Sequence, residues 1–543
     1  MPSLADARAL LERHFGYPAF RPGQRDVVAS VLAGRDVLAV LPTGAGKSVC
    51  FQVPALALGG LTIVVSPLIS LMQDQVAAAN ARGIPAASLH SALRPDERHQ
   101  TLSRIAQGAL RLLYLSPERL VRAAPELRRI GAVPSLLAID EAHCISEWGD
   151  DFRPSYRALR RGRYLLGEPQ TVALTGSATP RVREDIAQAA GLGRAGGSRR
   201  REAAVHVGSF DRPNLWFGAI RVRDERERLE RLLALLDAGD GLALVYAPTR
   251  RTTERVAAAV RRAGYRTACY HAGLEAERRA AVLRAFLRGE LDVVVATCAF
   301  GMGIDKPDVR LVAHWVAPPT PESYYQEAGR AGRDGRASRC VVLWHPDDAE
   351  IHRRQLDVTF PAPRLVERAW AEPAARARLP RGVVASVDRL RAELRPEWGP
   401  PEWTAVRRRR RHAEARLAVM KAYLQGDGCR RGRLVAYFGE RLVRCAGCDR
   451  CGERSVAPRL PPAAAERLAR LVDAVGSRRG AWGGALVDPE TLIRLALHPP
   501  ADGPSLAAVP GVGAVLAERL GGTLLRAMGV ASAGRSTQPR PRT

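Results

Sequence analysis

At 543 residues the chain is too long for one hydrophobic core, and about three to four domains are expected. The formal net charge of +27 favours a polyanionic partner, DNA or RNA, over an acidic small molecule. Only Lys47, Lys306 and Lys421 are lysines among 83 basic residues, so a general arginine bias accounts for part of that charge. No apolar run reaches the roughly 18 residues of a membrane span, and residues 1–10 lack a signal peptide's basic and apolar regions; a cytoplasmic protein is expected, nucleoid-associated if bacterial.

In chain order, short apolar runs at 36–41, 61–66, 110–115, 136–139 and 171–174 alternate with longer polar, helix-like stretches. That alternation predicts a parallel sheet covered on both faces by helices. A Gly- and Arg-rich boundary at 192–201 is followed by a second series at 241–246, 267–270, 291–296, 311–315 and 340–343. Helices and loops are expected over 357–403, and the arginine run 407–411 is read as preceding a helix at 413–424. A linker at 456–462, a helix-prone stretch and a disordered tail complete the chain. The expected partition is 1–205 and 206–350 for two α/β lobes, 351–412 for a basic helical insertion, 413–456 for a cysteine-bearing subdomain, 463–530 for a small all-α domain and 531–543 for the tail.

The first strand runs into Leu41-Pro42-Thr43-Gly44-Ala45-Gly46-Lys47-Ser48. Such a loop, ahead of a helix, wraps backbone N–H groups around phosphates; Lys47 would reach the terminal phosphates and Ser48 would hold Mg²⁺. Leu41 stands where the strict pattern has its first glycine. Leu136-Leu137-Ala138-Ile139-Asp140-Glu141-Ala142-His143 places two carboxylates at the C-terminal end of a strand, where α/β sheets bind ligands. Asp140 would hold the same Mg²⁺ and Glu141 would polarise the attacking water. A surface acidic pair is the bland alternative. Gln326-Glu327-Ala328-Gly329-Arg330-Ala331-Gly332-Arg333 offers two arginines, expected on adjacent turns, to stabilise charge developing on the γ-phosphate. Cys429, Cys445, Cys448 and Cys451 have the spacing of a closed four-thiolate zinc site, with two disulfides or free thiols as alternatives. The other five cysteines are scattered singly, which suits a reducing compartment.

Together these segments resemble a superfamily 2 helicase, and the wording between them is similar to the RecQ family over residues 15–452. The resemblance implies two RecA-like lobes in tandem, a helical zinc-binding subdomain and, over 463–530, an HRDC-like helical domain. It implies an ATP-dependent DNA helicase moving 3′ to 5′ on single strands, active in recombination and repair, with ATP, Mg²⁺ and Zn²⁺. Phe15-Gly16-Tyr17 through Gln24 resembles the adenine motif, in which Tyr17 would stack on the base and Arg21 and Gln24 would contact its edge. The segment 144–156 looks like the aromatic-rich loop that couples DNA to hydrolysis: Trp148, Phe152 and Tyr156 would stack on bases and Arg153 would pair with phosphate. The segment 66–75 and His271 resemble backbone-contacting motifs, and Thr175 with Ser177, like Gln326 and the segment 299–307, resembles the coupling motifs. No winged-helix domain is evident after the zinc cysteines, and the basic segment 357–411 is the candidate to replace its grip on duplex. The turn 509–513 either binds a phosphate or is a plain helix connection. Two other functions fit the residues: an RNA-directed helicase of the same superfamily, since Asp-Glu-Ala-His also occurs there, and a non-catalytic DNA-binding or strand-annealing protein.

Overall fold

A computed structural model describes residues 2–42, 44–90, 93–147, 153–193, 201–239, 241–301, 306–395, 399–442, 444–452, 462–476, 487, 489–509 and 512–530. Seven strands form the first sheet: β1 (Asp36–Val40), β2 (Leu61–Val65), β3 (Ala86–Leu89), β4 (Leu112–Leu115), β5 (Pro134–Ile139), β6 (Gln170–Thr175) and β7 (Ala203–Val207), in the order β3-β4-β2-β5-β6-β1-β7. Six form the second: β8 (Leu215–Arg221), β9 (Leu242–Tyr246), β10 (Thr267–Tyr270), β11 (Val293–Ala296), β12 (Val309–His314) and β13 (Ser338–Trp344), in the order β10-β11-β9-β12-β13-β8. Neighbouring strands pair in parallel throughout. The central strands are apolar along their length because helices cover both faces; β1, β4, β9 and β11 are buried at every position.

Three strands lie outside the runs that the periodicity singles out: β3, β7 and β8. Their strand signal is weak for physical reasons. β3 and β7 carry small alanines, β7 alternates between exposed and half-buried positions because it is a sheet edge, and β8 carries Gly218 in its interior.

Beyond the second sheet the chain is helical: Asp348–Thr359, Pro363–Ala371, Pro373–Ala377, Arg381–Leu394, Trp403–Gln425 and Arg430–Tyr437. Val366, Val387, Leu390, Trp403 and Val406 give this layer its own small core, with Trp370 stacked on Trp403 at 6.0 Å. The arginine run does not precede a helix; it lies inside Trp403–Gln425. Arg409 is buried against Glu393 at 2.7 Å, Arg410 bridges Asp357 and Glu414, and Arg408 reaches Glu147 of the first lobe at 2.6 Å. Three of the five charges are therefore used in holding the layer together and to the first lobe. The C-terminal helices Pro462–Gly476, Pro489–Leu497, Gly503–Ala507 and Gly513–Met528 pack around Leu471, Leu495, Leu506 and Leu524. Residues 194–200 of the boundary, 456–461 of the linker, Pro510 and Gly511 of the glycine turn, and the tail 531–543 lie outside the described residues. Among the described residues no helix is long and apolar enough to cross a membrane.

Candidate active site

The phosphate loop leaves the C-terminal end of β1, where Leu41 N–H donates to Thr175 O at 3.0 Å and so ties the loop to the end of β6. Gly44 and Gly46 take φ of 86° and 74°, the left-handed region that glycine enters without a Cβ clash. Ala45 N–H donates to Pro42 O at 3.0 Å, and the helix Val49–Leu58 begins after Ser48. Thr43 lies outside the described residues. The turn thus delivers backbone N–H groups, Lys47 and Ser48 to one helix N-terminus, where partial positive charge collects.

Asp140 and Glu141 follow β5 directly, beside that loop. Asp140 is buried; its Oδ2 accepts from Gln75 Nε2 at 3.0 Å and its Oδ1 from Glu141 N–H at 3.0 Å. Burial, and then the neighbouring Glu141, push the Asp140 carboxyl up. Burial also acts to raise Glu141, but Lys47, His143 and Arg330 outweigh it and hold that carboxyl down. The buried Asp140 and the part-buried Glu141 are hard oxygen anions partly offset by Lys47, a setting that a divalent cation would complete, with Ser48 and Asp140 as the candidate oxygen donors for Mg²⁺. Glu141 itself sits at φ 46°, a left-handed conformation that costs a non-glycine residue on the order of 1–3 kcal/mol.

A chain of polar contacts runs from Glu141 to the second lobe. Glu141 Oε2 lies 3.3 Å from His143 Nδ1, and the same nitrogen lies 3.0 Å from Thr175 Oγ1. Thr175 Oγ1 donates to Ser177 O at 3.3 Å, and Ser177 Oγ accepts from Gln326 Nε2 at 2.7 Å. His143, Thr175 and Ser177 are all buried, so these polar groups depend on one another for partners. Gln326 is on the helix Pro321–Ala328; Arg330 and Arg333 lie past its end, in the turn that follows, not on adjacent helical turns. Arg330 Nη1 donates to Gly301 O, and its charge is among those lowering Glu141. The Arg333 stem covers the phosphate loop so closely that a Cβ on Gly44 would come within 3.2 Å of its Cγ. Both arginines therefore border the cleft between the lobes.

Other expected contacts come out differently. Tyr17 is exposed, 6.5 Å from Phe15, with the Arg21 guanidinium 5.7 Å from its ring, so a face is open for stacking. Arg21, however, donates to Gly44 O, while the buried Gln24 accepts from Arg21 N–H and donates to Ala45 O and Gly46 O. The Gln24 amide is thus taken up by the phosphate loop. Tyr156 is fully buried in the first-lobe core, its hydroxyl 3.4 Å from Asp140 O, so it cannot stack on a nucleic-acid base. His271 is likewise buried, against Glu254 at 3.0 Å, and cannot present its ring to a DNA backbone. Arg153 donates to Pro67 O at 2.8 Å and joins two motif segments. Trp148 and Phe152, like residues 302–305, lie outside the described residues. Lys306 is tied to Leu287 O and Asp308. Gln75, read from sequence as part of a DNA-touching motif, instead bonds Asp140; nothing in the spacing signals that pairing.

The Sγ atoms of Cys429, Cys445, Cys448 and Cys451 all lie within 4.8 Å of one another. Four thiolates at the usual Zn–S length stand about 3.8 Å apart in a tetrahedron, and Cys429 and Cys448 Sγ are 4.0 Å apart. All four are free thiols, which removes the disulfide alternative. Burial raises the Cys448 thiol, but N–H groups of Arg430, Cys451 and Arg450 outweigh it and favour thiolate. The donor set fits zinc, which would staple the loop to the second lobe: Cys448 extends the sheet by bridging Phe217 of β8.

Three family models match along the chain: DEAD/DEAH box helicase over residues 21–186, Helicase conserved C-terminal domain over 225–335 and RecQ zinc-binding over 388–452. A probable ATP-dependent DNA helicase RecS of Bacillus subtilis (strain 168) is 36% identical over 466 residues, covering 81% of this chain and 91% of the relative. The chain belongs to the RecQ family of superfamily 2 helicases. An ATP-dependent DNA helicase RecQ of Pasteurella multocida (strain Pm70) is also 36% identical, over 453 residues; 83% of this chain is covered, but only 63% of that RecQ's length. A crystal structure of the DUF1998 helicase MrfA bound to DNA matches with a TM-score of 0.52 at 18% identity, covering 65% of this chain and 54% of that one, a likeness of fold alone. The RecQ zinc-binding match starts at residue 388 and so takes in the whole helix Trp403–Gln425, arginine run included.

Proposed function

We propose that this RecQ-family chain hydrolyses ATP between its two lobes to move 3′ to 5′ along single-stranded DNA and separate duplex, in recombination and repair. Family membership supports the DNA-helicase activity, and the direction and cellular role fit the family. The observation that carries the coupling is the contact series Glu141, His143, Thr175, Ser177, Gln326: it joins the base candidate to the second lobe, so hydrolysis and lobe closure depend on each other.

In this reading Lys47 and the loop residues Pro42 to Ser48 bind the phosphates, and Tyr17 stacks on adenine. Gln24 and Arg21 exchange their loop carbonyls for the base edge. Ser48 and Asp140 would hold Mg²⁺, which would supply charge neutralisation for the phosphates. Glu141, held as carboxylate by Lys47 and His143, accepts a proton from water and orients it for attack. Arg333, already over Gly44, and Arg330 stabilise the charge of the transition state. Trp148, Phe152 and Arg153 remain the candidates that report DNA to this site. We read residues 463–530 as an HRDC-like accessory domain and the protein as cytoplasmic.

The deciding experiment measures ATP hydrolysis with single-stranded DNA, with RNA and with neither, then strand displacement on 3′-tailed, 5′-tailed and forked DNA. Stimulation by DNA and displacement from a 3′ tail are expected. Stimulation by RNA alone, or displacement only from a 5′ tail, would overturn the reading.

A further inference from the structure

The short linker between β7 and β8 is held from two sides, and one of its residues shapes the arginine-bearing turn. Arg212 donates through Nη1 to Gly329 O at 3.4 Å and through Nη2 to Ala331 O at 3.1 Å and Gly332 O at 2.9 Å. Asn214 Nδ2 donates to the same Gly332 O at 2.8 Å and to Arg336 O at 2.9 Å. Carbonyls beyond a helix C-terminus lack helical partners and carry partial negative charge, so a guanidinium is suited to gather them. The turn is moulded to the linker: Gly332 has φ 54°, and a Cβ there would come within 2.4 Å of Asn214 Nδ2. The carbonyls that Arg212 holds thus flank Arg330 and lead directly into Arg333.

The zinc-binding subdomain fixes the other side of this linker. Cys429 caps the helix Arg430–Tyr437, and the buried Arg431 donates to Asp211 Oδ1 at 2.7 Å, to Arg212 O at 2.6 Å and to Leu215 O. Glu440 accepts from Ser209 Oγ and from Phe210 N–H, each at 2.6 Å, and Phe438 stacks on Phe210 at 4.4 Å. A shift of the linker would break these contacts, and Arg212 O is itself held by Arg431 Nη1 and by Leu215 N–H.

We propose that Arg212 is a positioning residue for ATP hydrolysis: anchored by the zinc-binding subdomain, it sets the backbone from which Arg330 and Arg333 reach the nucleotide cleft. This rests on reading that pair as the source of the transition-state cation. The metal site then acts on the chemistry at a distance, through Arg431, the linker and the turn.

A double-mutant cycle tests this on the full chain with bound zinc quantified. Arg212→Ala is expected to lower DNA-stimulated kcat about tenfold, since small displacements of a charge-stabilising group are costly, with KM for ATP within about twofold and zinc content unchanged. In an Arg333→Ala background the same substitution should cost clearly less than in the wild type, because the part of its effect transmitted through Arg333 is already removed. A wild-type kcat for Arg212→Ala, or an equal loss in both backgrounds, overturns the proposal. If Arg333→Ala turns over normally, Arg330→Ala is the background and the same two outcomes decide. Asn214→Ala, which removes two of the contacts to the turn, takes the place of Arg212→Ala if that variant does not fold. Absence of DNA stimulation in the wild type would sink the motor reading separately, and the cycle can still be run on basal hydrolysis.

Discussion

Gln326→Ala removes the contact through which the second lobe bonds the Ser177 hydroxyl. Ser177 is 2% exposed, and among the described residues Gln326 Nε2, at 2.7 Å, is the hydrogen-bond partner of its Oγ. Leaving a buried hydroxyl without a partner costs about 1–3 kcal/mol. That penalty falls on the closed arrangement of the lobes, so the closed population, and with it turnover, should drop by about 5- to 150-fold. Phosphate binding lies on the first lobe, so ATP affinity should change little. Steady-state hydrolysis across DNA concentrations, with fluorescent-nucleotide binding in parallel, separates the two effects. Replacing both partners with apolar groups of similar shape, Ser177→Ala with Gln326→Met, should recover part of the loss because no orphaned polar atom remains. Turnover of Gln326→Ala within twofold of wild type would refute the reasoning, and so would a loss of ATP affinity large enough to explain the slower rate.

Glu141→Gln should leave ATP binding near normal and reduce hydrolysis by at least about 10²-fold, the lower range for removing a general base; a tenfold weaker ATP Kd would move Glu141 from chemistry to binding. Cys448→Ser should lose zinc and free the β8 edge, where Asp449 N–H bonds Phe217 O and Ala219 N–H bonds Asp449 Oδ2. Hydrogen exchange at Ala219 and Asp449 should then quicken by at least about tenfold, and unchanged exchange would detach the metal site from the sheet. His206, 2.9 Å from Ser30 Oγ, has its pKa lowered by burial, with Asp26 opposing and Arg35 adding to the effect. A depressed base takes up its proton later in the folded chain than in the unfolded one. Its contribution is therefore present above about pH 6.5 and lost as pH falls below it. His206→Gln should flatten the fall in Tm between about pH 7 and 5, and an unaltered slope would exclude this residue as a source.

Local chemistry made much of this protein legible. Two parallel-sheet lobes follow from apolar runs long enough to be buried on both faces, and the phosphate loop, acidic pair and four cysteines are each a short stretch whose residue types dictate the chemistry. Edge strands escape this reading because edges need no continuous apolar run: β7 shows water one face, and β8 tolerates Gly218 where Trp216 fills the space. An aromatic or imidazole in a motif looks the same whether it faces the core or solvent; only packing puts Tyr156 beneath Asp140 and His271 against Glu254. Gln24 carries adenine-reading chemistry in its amide, yet the fold gives that amide to the phosphate loop.

What the sequence determined by itself was the chemistry that single segments can carry: a phosphate loop ending in Lys47 and Ser48, an acidic pair at Asp140 and Glu141, four closely spaced cysteines, and a DNA-helicase family resemblance. What the tertiary structure decided were the contacts between segments far apart in the chain: Gln326 on Ser177, Arg333 over Gly44, Arg431 on Asp211 and Arg212 under the turn that follows Gln326. Spacing within one segment fixes which groups can share a turn of backbone. Contacts between lobes depend on how whole sheets and helices pack, and among 80 arginines no local pattern marks the one that packing selects.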